Sequence, residues 1–392
     1  MSDQRRDAGA PEGGIIPLPG IARIAVDLLG GDEAPAVVVD GALHAVQADP
    51  AVHLLLVGPA EVAGEVLAAL KPDERARVRA ITTGPTGRAS PSGGASESGR
   101  STESGRSTES GRVNESGRVN ESGRVSESGR VSESAGERSG QRGDAGWIES
   151  GVRAAVLAVA AGEADAVVSA GSTGATVTSA ALGFGRWPGV RRPALAAVLP
   201  TATGRVVLLD VGATVDPDER ALLTQARLGA AYASVVHEVV TPRVGLLTIG
   251  TESGKGDRLR RAMPALLGAA TLPAGARYAG LIEGNDVVTG GAADVVVTDG
   301  FTGNVLLKGL ETAYASIAPP RPGDVPPRAA ILLGVSGTVV VCHGAASGTD
   351  LAAGIALAAD LHRRAAVPAI SVLLRDAAPM EESSEPEVID EH

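Results

Sequence analysis

Aromatic residues are nearly missing from this sequence: Phe, Tyr and Trp make up 2% of its 392 residues. A core built without them must be aliphatic and Ala-rich, and the stacking platforms that grip single-stranded nucleic acid are largely excluded. The formal charge of -11 argues the same way, because phosphate backbones select basic faces, so no nucleic-acid partner is expected. The lone cysteine, Cys342 in "VVVCHG", excludes a disulfide framework or cysteine metal site within one chain and reads as a buried structural thiol. No apolar run reaches the length of a membrane span, and "MSDQRRDAGAPEGG" lacks a signal-peptide h-region. The expected compartment is the cytoplasm.

Lysine is also scarce. Lys71, Lys255 and Lys308 are the only three, and arginine supplies every other basic side chain. Lys255 and Lys308 follow glycine-rich turns, "GTESGKG" and "DGFTGNVLLKG", where a compact ammonium suits a phosphate or a developing oxyanion. Several familiar motifs are absent. "GTESGKGD" lacks the glycine spacing and the Ser or Thr of a Walker sequence, "GGDEAP" and "SAGSTGA" are not G-x-G-x-x-G, and neither G-x-S-x-G nor H-E-x-x-H occurs. Nucleoside triphosphate hydrolysis and zinc chemistry are disfavoured, a dinucleotide site has no support, and no cofactor is expected.

The chain is organised around one interruption. Residues 1–20 and the acidic end from 379 to 392 read as disordered tails, and 21–378 as a single domain interrupted at 84–146. Within that insertion a hexad carrying "ESGR" recurs with almost nothing to bury; its period matches neither helix nor strand. The remainder alternates strands rich in Val, Leu and Ile ("RIAVDLL", "HLLLVG", "ADAVVSAG", "LAAVLPT", "RVVLLDVG", "RVGLLTIG", "ARYAGLIEG", "ADVVVTDG", "TVVVCHG") with segments of helical spacing such as "PDERALLTQARLGAAYASVV". This pattern predicts a three-layer αβα sandwich with a mainly parallel sheet. Many strands end in small or acidic turns, which should line one rim where backbone N–H groups approach an anion. With Asp, Asn, Thr, Ser, Lys and His at those ends and no obvious covalent nucleophile, the set suits a reaction whose nucleophile is itself a bound anion, such as phosphate attacking an acyl group.

Six of these motifs, "IAVDLLGGDEAPAVVVDGAL", "ADAVVSAGSTGA", "RRPALAAVLPT", "LLDVGATVD", "VGLLTIGTESGKGD" and "ADVVVTDGFTGNVLLK", stand in the order and spacing of the bacterial phosphate acyltransferases of phospholipid synthesis. The chain resembles that acyl-acyl carrier protein:phosphate family over about residues 21–83 and 147–364. The resemblance implies a fold like the isocitrate/isopropylmalate dehydrogenase and phosphotransacetylase group, and a homodimer. It implies reversible conversion of acyl-acyl carrier protein and inorganic phosphate into acyl phosphate, which then feeds a membrane glycerol-3-phosphate acyltransferase. A phosphotransacetylase-like enzyme using acyl-coenzyme A, or a non-catalytic paralogue acting as a binding protein, are the alternatives. For the site, Lys255 and Asn304 are expected to contact the phosphate or acyl oxygen, and His343 is a candidate base. The surrounding turns contribute Asp27, Gly30, Gly31, Asp32, Ser172, Thr173, Gly174, Asp210, Thr214, Asp299, Gly300, Gly303 and Lys308, although Asp at a strand end commonly caps the next helix. "GRWPGVRRP" and "GDRLRRAM" are arginine-bearing surfaces to guide an acidic carrier, or else ordinary solvated faces.

Some positions depart from the family. Ser172 and Thr214 stand where Asn is usual, and the long amphipathic segment after "GNVLLK" is reduced to "ETAYASIAPPRPGDVPPRAA", whose prolines forbid a continuous helix. Membrane association is therefore expected to be weak or indirect. Deletion of residues 90–144 should leave folding and activity nearly intact, because loop-closure entropy changes slowly with length and the hexads supply no core. Loss of a cooperative melting transition in the deletion variant would show the repeat to be structural.

Overall fold

In the computed structural model the protein is described over residues 20–83, 89–91, 151–252, 254–317 and 329–377. The expected tails and most of the insertion lie outside the described residues. Twelve strands form one sheet: β1 (Ala22–Asp27), β2 (Val52–Gly58), β3 (Val78–Thr83), β4 (Ala89–Pro91), β5 (Ala166–Ser169), β6 (Ala194–Thr201), β7 (Gly204–Leu209), β8 (Arg243–Leu247), β9 (Arg277–Ile282), β10 (Val295–Val297), β11 (Ala329–Leu333) and β12 (Thr338–Cys342). Their spatial order is β4-β3-β2-β1-β5-β12-β11-β6-β7-β10-β8-β9. The helices are α1 (Ala36–Ala48), α2 (Ala60–Ala69), α3 (Pro72–Arg75), α4 (151–160), α5 (Thr173–Gly183), α6 (Glu219–His237), α7 (Arg258–Ala269), α8 (Gly284–Thr289), α9 (Gly300–Ile317), α10 (Gly348–Arg363) and α11 (Ala366–Asp376). Among the described residues no helix is long and apolar enough to cross a membrane.

Strand side chains alternate between two cores, as the two-residue period of a strand requires. Ile24, Val26, Val168, Val207 and Leu209 bury with α1, α2, α6, α7, α10 and α11 on one face. Ala25, Val167, Val206 and Leu208 bury with α4, α5, α8 and α9 on the other. The sandwich is therefore three-layered, with Val and Leu doing most of the filling. With so few aromatic rings, the helices close on the sheet through Ala and Gly. On α6 these are Ala226, Gly229, Ala230 and Ala233, and on α10 they are Gly354, Ala358 and Ala359. The helix ends carry their own stop signals, including the Asp218 and Asp257 N-caps of α6 and α7 and the Ser347/Asp350 capping box of α10.

The nine strands anticipated from the sequence all form. β3 ("VRAITT"), the short edge strand β4 and β11 ("AAILL") are additional, and β4 lies within the segment read as insertion. Most ladders are parallel, but β11 runs antiparallel to both β12 and β6, and β6 antiparallel to β7. These reversals invert the sheet. β1, β2, β3, β5 and β12 point one way, and β7, β8, β9 and β10 the other. The turns after the two sets of strands thus leave the sheet in opposite directions rather than along one rim.

Two glycines in helices should respond oppositely to the same substitution. Gly64 in α2 has only open space where an added methyl would project, so Gly64→Ala should stabilise by about 0.5–1 kcal/mol. At Gly229 an added Cβ would meet Val295 Cγ1 at 2.6 Å and Leu209 Cδ2 at 2.7 Å, so Gly229→Ala should destabilise by about 1–3 kcal/mol. Urea midpoints read both changes, and a stabilising Gly229→Ala would refute the close packing of α6 on the sheet.

Candidate functional site

A single lateral row of sheet residues organises the site. Val26, Val168, Val340, Ile331, Ala196, Leu209, Val297 and Leu246 are successive cross-strand partners. Just beyond that row the chain turns polar in both halves: Asp27 and Ser169 in one, Asp210, Thr298 and Asp299 in the other. The polar ends of the two oppositely directed parallel sets therefore begin at one level across the waist of the sheet, on opposite sides of that row.

On the first side, Asp27 is buried, and its Oδ2 accepts the Ser169 hydroxyl at 2.9 Å while Oδ1 accepts the Leu29 amide at 3.2 Å. Burial pushes the Asp27 carboxyl up to about 6, against those two hydrogen bonds. Gly30 lets the 27–32 turn lie on the next one, since a Cβ there would meet the Gly171 nitrogen at 2.6 Å; Gly31 has φ +120°, which favours glycine. Asp32 donates its amide to the Gly344 carbonyl at 2.7 Å, joining this turn to the one after β12. Ser172 N-caps α5 by accepting from the Ala175 amide, so Thr173 and Gly174 occupy a first helical turn whose amides have no intrahelical acceptor.

His343 sits at the same level. The Ala345 amide donates to its Nδ1 at 3.3 Å, which leaves the neutral ring's proton on Nε2. Burial and the Lys308 ammonium hold its pKa below the usual imidazole range, with Asp32 opposing them. Nε2 is buried without a hydrogen-bond partner among the described residues and lies 3.9 Å from Glu311 Oε2. The sequence reading takes His343 as a candidate base. With Nδ1 accepting the Ala345 amide, the ring's Nε2–H is the face turned to other partners.

On the second side, Asp210 accepts four amides: Leu195 at 2.9 Å, Gly212 at 3.1 Å and Ala213 at 3.0 Å on Oδ1, and Thr214 at 2.5 Å on Oδ2. Burial pushes this carboxyl up to about 6, while the four donors pull it down. Thr214 uses its backbone, accepting the Gly300 amide at 2.8 Å. Asn304 Nδ2 donates to the Val211 carbonyl at 3.1 Å. Gly303 has no room for a side chain, because a Cβ would collide with the Asp210 carbonyl oxygen. Asp299 begins α9, accepting the Thr302 amide and hydroxyl, each at 2.8 Å, and pairing with Arg260. Burial raises the Asp299 carboxyl, but those partners outweigh it and hold it below the usual carboxylate range.

α9 joins the sides. Its start packs on the Asp210 turn, and Lys308, about 12 Å further along at 1.5 Å per residue, reaches the His343 neighbourhood. Lys255 lies apart on the exposed turn after β8, its stem 3.3 Å from a Cβ position on Gly250, and no contact joins it to Asn304 or His343 among the described residues. Three participants escaped the sequence reading. Ser169 and Glu311 carry no motif signal. Arg260 falls in "GDRLRRAM", which looked like a surface cluster, yet it is buried and bonded to Asp257, Thr298 and Asp299. Its signal is the Asp three residues earlier, which N-caps the helix.

Comparison with known proteins adds a family. The chain matches the family described as "Fatty acid synthesis protein" over residues 22–85 and 146–319. It is 43% identical over 227 residues to a phosphate acyltransferase of Thermobifida fusca, covering 51% of this chain and 63% of that protein. With a phosphate acyltransferase of Pseudomonas syringae it shares 34% identity over 353 residues, covering 83% of this chain and 88% of the other. In architecture it is similar to a phosphotransacetylase from Streptococcus pyogenes, with TM-score 0.52, 16% identity and coverage of 86% of this chain and 93% of that one. A branched-chain phosphotransacylase from Enterococcus faecalis gives TM-score 0.52, 12% identity and coverage of 88% and 99%. At such identities these two matches describe the fold alone.

The buried Asp27 carboxyl has a pH signature. Raised from 3.8 to about 6, it favours the protonated form, so its contribution to stability is full below about pH 4 and is lost as pH rises through 6. The loss amounts to about 3 kcal/mol, at 1.36 kcal/mol per pKa unit. Asp27→Asn stays neutral and should flatten the fall in melting temperature between pH 4 and 7.5. An unchanged slope would show that Asp27 does not titrate in that window.

Proposed function

Because the chain belongs to the phosphate acyltransferases of the fatty acid synthesis protein family, we propose that its waist cleft transfers an acyl group from acyl-acyl carrier protein to inorganic phosphate. The observation that carries this reading is the His343 Nε2–H, buried without a hydrogen-bond partner among the described residues and within reach of the Lys308 ammonium's charge, on a turn after β12 whose neighbouring strand β5 leads into α5. Together they offer a cation, a neutral donor and helix amides to an anion, with no covalent nucleophile required.

The step balances without an added base. A phosphate oxygen attacks the thioester carbonyl, the new C–O bond forms as the C–S bond breaks, and the proton of hydrogen phosphate passes to the departing sulfur. Lys308 offsets phosphate charge, and His343 Nε2–H donates to the carbonyl oxygen as it becomes an oxyanion. Asp27, Asp32, Thr173, Asp210, Thr214, Asp299 and Asn304 hold the turns that shape the cleft, and Lys255 contributes from its outer edge. The reversal of strand direction at β11, β6 and β7 supports assigning the architecture to the isocitrate/isopropylmalate dehydrogenase group. A homodimer, and a membrane glycerol-3-phosphate acyltransferase as consumer of the product, complete the family-based reading.

Acyl phosphate formation, assayed with acyl-acyl carrier protein and with acyl-coenzyme A, tests the proposal: preference for the carrier is expected. Preference for coenzyme A would make the protein a phosphotransacetylase-like enzyme, and carrier binding without turnover a binding protein. His343→Ala should lower kcat by about 100-fold, as loss of an oxyanion donor does elsewhere. His343→Gln, which keeps an N–H but cannot titrate, should recover most of that loss with an unaltered pH profile. A Gln variant as inactive as the Ala variant would mean that a titrating imidazole is needed.

A further inference from the structure

A groove of about 450 Å³ opens beside the cleft, within the usual range of small-molecule sites. One wall is apolar: Val177, Ala181 and Leu182 on α5, with Leu182 83% exposed. The opposite wall is cationic, formed by Arg186, Arg191 and Arg192, all exposed, and Thr214 lies along the groove. This is one of the two arginine-bearing stretches singled out in the sequence. The other is committed, since Arg260 is buried in its ion pairs, Arg258 pairs with Glu219 and Arg261 donates to the Gly256 carbonyl.

The cationic wall is pre-formed. Trp187 and Val190 are buried and anchor the loop, Trp187 donates its amide to the Gly334 carbonyl at 3.0 Å, and Arg186 Nη1 holds the Arg191 carbonyl at 2.5 Å. Arg192 Nη1 reaches the Asp216 carbonyl at 3.3 Å. The Arg191 guanidinium is 67% exposed and stands 3.8 Å from Asp218, a pairing that leaves it able to engage another anion. The groove is also tied to the cleft at both ends. α5 begins at Ser172 and Thr173 and arrives at Leu182 about 14 Å later, while Thr214 holds the first amide of α9.

We infer that this groove is the docking surface for the acyl donor, resting on the function proposed above: it seats the phosphodiester-linked arm and the adjoining acidic surface of an acyl carrier protein. An arm that is part amphipathic chain and part phosphodiester matches a groove with one apolar and one guanidinium wall, since guanidinium binds phosphate and carboxylate bidentately. The chain's net charge of -11 repels an acidic protein at long range, so a local cationic patch must supply the steering.

Fluorescence anisotropy with labelled holo-acyl carrier protein tests docking without depending on turnover. Arg191→Glu should weaken binding at least tenfold and reduce its salt dependence, while Arg79→Glu, the same charge change at an exposed position of β3, should weaken it less than twofold. In assays, the ratio of kcat/KM for acyl-carrier protein to kcat/KM for an acyl-N-acetylcysteamine thioester should fall at least tenfold in Arg191→Glu. Unchanged carrier affinity in Arg191→Glu, or equal loss in Arg79→Glu, overturns the inference. Binding to anionic vesicles that is lost in Arg191→Glu while carrier affinity is kept would assign the groove to lipid instead. Wild-type protein that binds the carrier through Arg191 but makes no acyl phosphate would leave the docking surface standing and sink the catalytic reading.

Discussion

A carboxylate buried among backbone amides holds the waist of this protein together. Asp210 takes one amide from the start of β6 and three from the turn that follows β7, so one side chain fixes a strand junction and a loop at once. Four donors are what a buried carboxylate requires, because an unsatisfied one carries a desolvation cost of several kcal/mol. Once that turn is fixed, its carbonyls become a floor. Gly303 and Asn304 of α9 rest on it, and the direction of α9 is set from its first turn.

That direction has a chemical consequence. α9 starts among the polar strand ends of one half-sheet and carries Lys308 and Glu311 to those of the other, where His343 lies. The site is thus assembled from elements far apart in sequence: Arg260 is neutralised by Asp257 and Asp299, and Lys308 is a cation that acts on His343.

Two departures from the family read differently once their surroundings are known. Ser172 replaces a usual Asn at an N-cap position, where Ser and Asn serve about equally well, and its Oγ does accept from the third residue of α5. Thr214 engages Asp210 and Gly300 through its backbone amide and carbonyl, which any residue supplies. Neither substitution disturbs the scaffold of its turn.

Strand and helix alternation, the aliphatic core and the polar turns after the strands were legible in the sequence, because the period of apolar residues and the turn chemistry are local properties. "RVVLLDVG" and "ADVVVTDG" announce a buried strand and a turn without reference to anything else. "VRAITT" did not, since Arg79 and two threonines dilute its apolar run. Lys308 stood out as one of three lysines, and Asn304 and His343 as polar residues at or near strand ends, in the sequence by itself. What tertiary structure alone decided was the sense of each strand and the use of each polar group. The inversion combines two local hairpins, β11–β12 and β6–β7, with one long-range antiparallel pairing of β11 on β6, as Ile331 with Ala196, and it is that pairing the neighbouring sequence does not announce. The hydrogen bonding of His343 depends on the Ala345 amide, and its electrostatics on where α9 delivers Lys308. Arg191 and Arg260 are the same residue type in similar short contexts. Only packing exposes one beside a groove and buries the other against Asp299, because burial is a property of the whole fold rather than of the neighbouring sequence.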